Sequence, residues 1–98
     1  MWATAWKGGT YGLRIQRADR GRHFDRHWDE VVIDLDGEVE VTARLTPTFW
    51  TTCPELRGAE IGRWLRRHQL APWPKGRPPR FAFRHISGNR FAVSLADR

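Results

Sequence analysis

The sequence predicts an α+β fold that is mainly β: a small open pseudobarrel of about six to seven strands with two short helices. Three observations lead there. Alternating apolar and polar runs flank the Asp36-Gly37 pair, a second such pair of runs flanks Ser87-Gly88-Asn89, and one segment between them switches to helical spacing. A chain of 98 residues is expected to form one domain, residues 1–98, around one core. At this length only about 60–65% of the extended surface is buried on folding. Six tryptophans and five phenylalanines compensate, because each buried aromatic removes on the order of 150–250 Å² from water.

Taken in order, Lys7–Gln16 (KGGTYGLRIQ) opens with a glycine pair and passes into the Tyr11, Leu13, Ile15 alternation of a strand. Arg17–Phe24 (RADRGRHF) has only Ala18 and Phe24 as apolar positions and is interrupted by Gly21, so it makes a short helix or a pair of turns. Trp28 anchors the approach to the first hairpin. There Val31, Ile33 and Leu35 alternate with Val32, Asp34 and Asp36; past the turn, Val39, Val41, Ala43 and Leu45 alternate with Glu38, Glu40, Thr42 and Arg44. One face is buried and the other is wet and mostly acidic. Ala43–Arg57 (ARLTPTFWTTCPELR) is an irregular joint that concentrates threonines, prolines and the adjacent Phe49-Trp50 pair. Glu55–Leu70 then places Leu56, Ile61, Trp64, Leu65 and His68 near helical spacing, with Arg66 and Arg67 in the last turn, where cations favour the helix dipole. Ala71–Pro79 holds four prolines and a glycine and is a stiff connector. Arg80–Ile86 and Arg90–Leu95 form the closing hairpin, with Phe81, Phe83, Phe91, Val93 and Leu95 facing inward. No repeat or low-complexity tract interrupts this order.

Charge is unevenly placed. The total is +6, and fifteen of the 17 cations are arginine. Guanidinium forks bind phosphate and guanine edges bidentately and stack on flat rings, although GC-rich coding also raises arginine content. Residues 1–18 carry +3, residues 19–40 carry −5 and residues 41–98 carry +8. A fold built from these segments shows an acidic flank and a basic face, and the basic face favours polyanions. The lone Cys53 excludes an internal disulfide and fits a reducing compartment. With no signal peptide and no apolar run near the ~20 residues of a membrane span, the expected location is cytoplasmic, nucleoid-associated when DNA-bound, with no membrane partner.

Catalytic chemistry is sparse. His23 and His27 stand four apart, but HFDRH is poorly helical and no second ligand pair stands nearby, which favours solvated or core-capping histidines over a metal site. Cys53 lacks a partner base. KGGTYG lacks the GxxxxGK[ST] order and precedes a strand rather than a helix. Neither GxSxG nor CxxC occurs. The expectation is no enzyme, no metal and no cofactor.

Binding chemistry remains. Two cation-bearing segments flank the acidic hairpin, Lys7–Arg20 before it and Arg44–Arg57 after it. Arg14, Arg17, Arg20, Arg44 and Arg57 suit phosphates or guanine edges. The hydroxyls of Thr46, Thr48, Thr51 and Thr52 suit phosphate oxygens, and their methyls suit thymine. Gly8, Gly9 and Gly12 allow close backbone approach. Phe49 and Trp50 either plug the open end of a barrel or stack on splayed bases.

The order LRIQRADRGRHF (Leu13–Phe24), VVIDLDGEVEV (Val31–Val41), TPTFW and IGRWLRRHQL (Ile61–Leu70) resembles the B3-type DNA-binding pseudobarrel of plant transcription factors and of effector or recognition domains in some restriction endonucleases. The chain departs from it at Arg77-Pro78, where such domains often carry an acidic residue after the glycine. The resemblance implies a non-catalytic module that grips the major groove of double-stranded DNA between two arms. By position, one arm corresponds to Lys7, Thr10, Arg14, Gln16, Arg17 and Arg20. The other corresponds to Arg44, Thr46, Thr48, Trp50, Thr51, Thr52 and Arg57. Such a module acts as a recognition or effector domain beside a nuclease, or as a small regulator. Two other readings stand beside it: a protein-interaction adaptor of a defence or mobile-element system using Trp2, Trp6 and Trp73 beside prolines, and an RNA or single-strand binder stacking bases on Trp50 and Tyr11.

Overall fold

Alternation sets the strand faces throughout the computed structural model, which describes residues 1–95. The elements in chain order are β1 (Trp2–Gly8), β2 (Thr10–Ile15), α1 (Arg17–His23), β3 (Glu30–Leu35), β4 (Val39–Arg44), α2 (Pro47–Thr51), β5 (Glu55–Arg57), α3 (Ala59–Arg67), β6 (Arg80–Ser87) and β7 (Arg90–Ser94). The strands form one seven-stranded sheet in the order β4-β3-β7-β6-β1-β2-β5. Neighbours are antiparallel except β3 and β7, which run parallel. The sheet curls into a nearly closed, barrel-like form whose end strands approach without pairing. At the seam, Val41 Cγ1 lies 3.4 Å from where a Cβ on Gly58 would stand.

Both expected hairpins form, each for the anticipated reason. Asp36 and Gly37 take φ of 54° and 77°, the left-handed pair at the centre of a turn that Glu38 N closes onto Leu35 O, within a three-residue loop between Leu35 and Val39. The β6–β7 turn uses Gly88, with a bulge between His85 and Ser87. Inward positions fill a single core in which Leu13, Ile33, Leu35, Leu56, Phe83 and Phe91 are wholly buried. Against it α3 lays Ile61, Trp64 and Leu65. Gly62 permits this approach, since a Cβ there would stand 3.1 Å from the Tyr11 ring. At one end, Phe24 stacks on Phe91 at 4.7 Å and meets Phe49 at 5.2 Å between ring centroids. Phe49 therefore plugs the barrel, as the simpler of its two readings held.

Three features differ from expectation. β1 lies upstream of the first anticipated strand, and its inward residues, Ala3 and Ala5, are too small to announce an apolar alternation. Glu55–Arg57 is a strand rather than the start of the helix. Leu56 pairs with Leu13 in the core, while Pro54 before and Gly58 after isolate those three residues from α3. The third is a helix in the joint after β4, so there are three helices rather than two. Pro47 sits in its first turn and Thr46 caps it, the Oγ accepting from Phe49 N at 3.4 Å. Among the described residues no helix is long and apolar enough to cross a membrane.

Candidate nucleic-acid interface

Register across β1, β2 and β5 brings outward side chains into two rows. Thr4, Arg14 and Glu55 form one, and Trp6, Gly12 and Arg57 the other. In the first row Glu55 Oε2 accepts from Arg14 Nη2 at 2.6 Å and Nε at 3.2 Å. From the second row Arg57 Nη2 donates to Glu55 Oε1 at 3.2 Å. The Trp6 ring folds over Gly8, where a Cβ would stand 2.3 Å from it, and lies beside both guanidinium groups. Its centroid lies 4.8 Å from the Arg57 guanidinium carbon and 5.7 Å from that of Arg14. Both cations are thus held at one edge by a carboxylate and supported by an aromatic face.

Burial differs sharply within this group. The Glu55 side chain is 4% exposed, whereas those of Arg14 and Arg57 are 47% and 50% exposed. Burial alone would raise the Glu55 carboxyl, but the hydrogen bonds from Arg14 and Arg57 and their charges outweigh it and hold the group below the usual carboxylate range. Glu55 is therefore ionised at neutral pH and cancels one of the two guanidinium charges. The remaining N–H groups of both arginines face solvent with a net positive charge.

Three shallow clefts adjoin this triad. In the first, Arg44, Thr46 and Thr48 from the β4–α2 joint meet Cys53, Glu55 and Arg57. The second, of about 470 Å³, joins Thr4, Arg14, Gln16 and Arg17 to Thr52 and Cys53. A third joins Trp6, Lys7 and Arg14 to Trp73 of the proline-rich connector. Arg14 belongs to the second and third, and Cys53 to the first and second, so the three are contiguous. Two further bonds tie the segments at their bases: Arg17 Nη2 donates to Thr52 O and Arg20 Nη1 to Phe49 O, both at 2.9 Å. α1 and α2 are consequently one joined unit.

Nine of the thirteen anticipated residues line these clefts: Lys7, Arg14, Gln16, Arg17, Arg44, Thr46, Thr48, Thr52 and Arg57. The other four do not. Thr10 sits at the exposed tip of the β1–β2 hairpin. Arg20 is half-buried and committed to the Phe49 carbonyl. Thr51 donates back into its own helix, to Pro47 O at 2.9 Å. Trp50 packs edge-on against Phe49 and carries the Arg26 guanidinium 5.1 Å from its ring centroid. Tyr11, the other candidate stacking platform, is buried with Lys7 and Arg66 against its ring.

Sequence reasoning missed Glu55, Trp6 and Cys53 as parts of this surface. Glu55 was assigned to a helix; strand alternation about Leu56 would have turned Glu55 and Arg57 outward together. The acidic hairpin stands apart from the clefts, with Glu38 paired to His68 and Arg67 at 2.7 and 3.4 Å and Glu40 paired to Arg90. Among the described residues, Glu55 is the one acidic residue lining any of the three. Comparison with protein-family models, curated proteins and solved structures finds no match.

Proposed function

We propose that the chain is a non-catalytic module that binds double-stranded DNA through this surface, inserting the β2–α1 and β4–α2–β5 segments toward the major groove as in the B3-type pseudobarrels it resembles. The observation that supports the reading is the convergence of Lys7, Arg14, Arg17, Arg44 and Arg57, from both sides of the acidic hairpin in sequence, onto three contiguous clefts. Phosphate neutralisation by such cations supplies the sequence-independent part of affinity. The Glu55-clamped guanidinium groups supply forks of fixed orientation, which bidentate contact to guanine requires. Threonine hydroxyls beside them take phosphate oxygens.

The test is a gel shift with a duplex pool and matched single strands. Replacing Arg14, Arg44 and Arg57 together by alanine should weaken duplex binding at least about tenfold, because three phosphate or base contacts are removed. Arg44→Glu should weaken it alone without disturbing the Glu55 clamp. Undiminished affinity of both variants sinks the reading, and equal competition by single strands replaces it with single-strand or RNA binding.

A further inference from the structure

The cleft beside the proline-rich connector differs from the other two in having indole walls. It measures about 400 Å³, within the range of small-ligand sites. Trp6 comes from the outward face of β1, and Trp73 folds over from the connector with its ring edge-on to Tyr11 at 5.6 Å and 63°. Tyr11 is buried and forms the floor. Lys7 and Arg14 line the same cleft, and among the described residues no carboxylate does. Trp6 and Trp73 are only half-buried, so indole surface is available to a ligand.

Flat walls with two cations and no acid match a flat heterocycle that carries a negative group. We propose that this cleft binds a single nucleotide, its base against Trp73 and Trp6 and its phosphate on Lys7 and Arg14. An apolar ligand would leave unused the net positive charge that Lys7 adds beside the Glu55-paired Arg14, and inorganic phosphate alone would leave the indoles uncovered. The site is the connector end of the proposed duplex-binding surface, with Lys7 and Arg14 common to both, yet free nucleotide binding does not require that surface to bind a duplex.

The experiment is a titration of the ¹⁵N-labelled full chain with deoxyguanosine 5′-monophosphate, following the tryptophan indole N–H signals, with inorganic phosphate and deoxyguanosine as separate probes. Saturable shifts at Trp6 and Trp73, with the buried Trp64 unmoved, are expected, and the nucleotide should bind at least about tenfold more tightly than either fragment. Trp73→Ala should weaken it about fivefold or more, and Trp73→Phe, which keeps a ring, by less than about threefold. Lys7→Glu should weaken the nucleotide and leave deoxyguanosine unaffected. Should Trp73→Ala fail to fold, Trp73→Phe and Lys7→Glu decide. Linear, unsaturated shifts, or inorganic phosphate matching the nucleotide, overturn the inference. Salt-dependent duplex binding surviving that result would leave the proposed function standing.

Discussion

Glu55→Gln separates the structural and electrostatic roles of the buried carboxylate. The substitution preserves shape, removes one negative charge and places an amide donor against a guanidinium. Three charge-assisted hydrogen bonds converge on Glu55, and such bonds contribute about 1.5–3 kcal/mol each when neither partner can be resolvated. Here both arginines are about half exposed and regain water once released, so the loss shrinks to about 2 kcal/mol in total. For a domain of this size that lowers Tm by roughly 8–16 °C, measured by circular dichroism. Binding should respond differently. Five cations line the clefts and Glu55 offsets one of them, so the wild-type slope of log affinity against log salt should be about −3.6, steepening to about −4.5 in the variant. An unchanged Tm would show that the clamp contributes nothing to the fold. A shallower slope would show that Arg14 and Arg57 do not face the polyanion.

Further consequences follow from the same geometry. Because the Glu55 pKa is lowered in the folded state, its stabilisation is fully present above the unfolded glutamate value, about 4.3, and is lost as pH falls through the folded value. The Tm difference between wild type and Glu55→Gln should therefore be constant from about pH 6 to 8 and shrink below about pH 4.5. Gly12→Ala would place a Cβ 2.6 Å from Leu56 O; prising β5 from β2 should cost about 1–3 kcal/mol in chemical denaturation and weaken duplex binding in parallel. Phe49→Ala empties the barrel plug and should cost about 3–5 kcal/mol. Thr46→Ala removes the α2 cap and should cost about 1 kcal/mol.

The β architecture was legible wherever alternation used large residues. The Asp36-Gly37 and Gly88 hairpins have both the turn chemistry and inward Val, Ile, Leu and Phe, so both appear where expected. β1 escaped because Ala3 and Ala5 carry too little apolar surface to register, and β5 because three residues are too few to show a period. The place of β5 in the sheet also depends on a contact distant in sequence, Leu56 against Leu13, which no local pattern encodes. For the interface, charge segregation singled out segments that the fold brings together, since nine of thirteen anticipated residues line adjoining clefts. It could not distinguish cations facing solvent from those spent on the fold. Arg17 and Arg20 each donate to a backbone carbonyl, and only the partial burial of Arg20 beside the exposed Arg17 separates them. Trp6 was likewise read as part of a sticky patch, because its contacts to Arg14 and Arg57 come from two other strands.

The most direct measurement is the salt dependence of wild-type binding to a mixed-sequence duplex, read by fluorescence anisotropy between about 50 and 200 mM salt. A logarithmic slope near −3.6 is the predicted result, because that is what about four effective cations on one surface produce. A slope within about one unit of zero would mean that these cations do not meet phosphate together, and it would contradict the account.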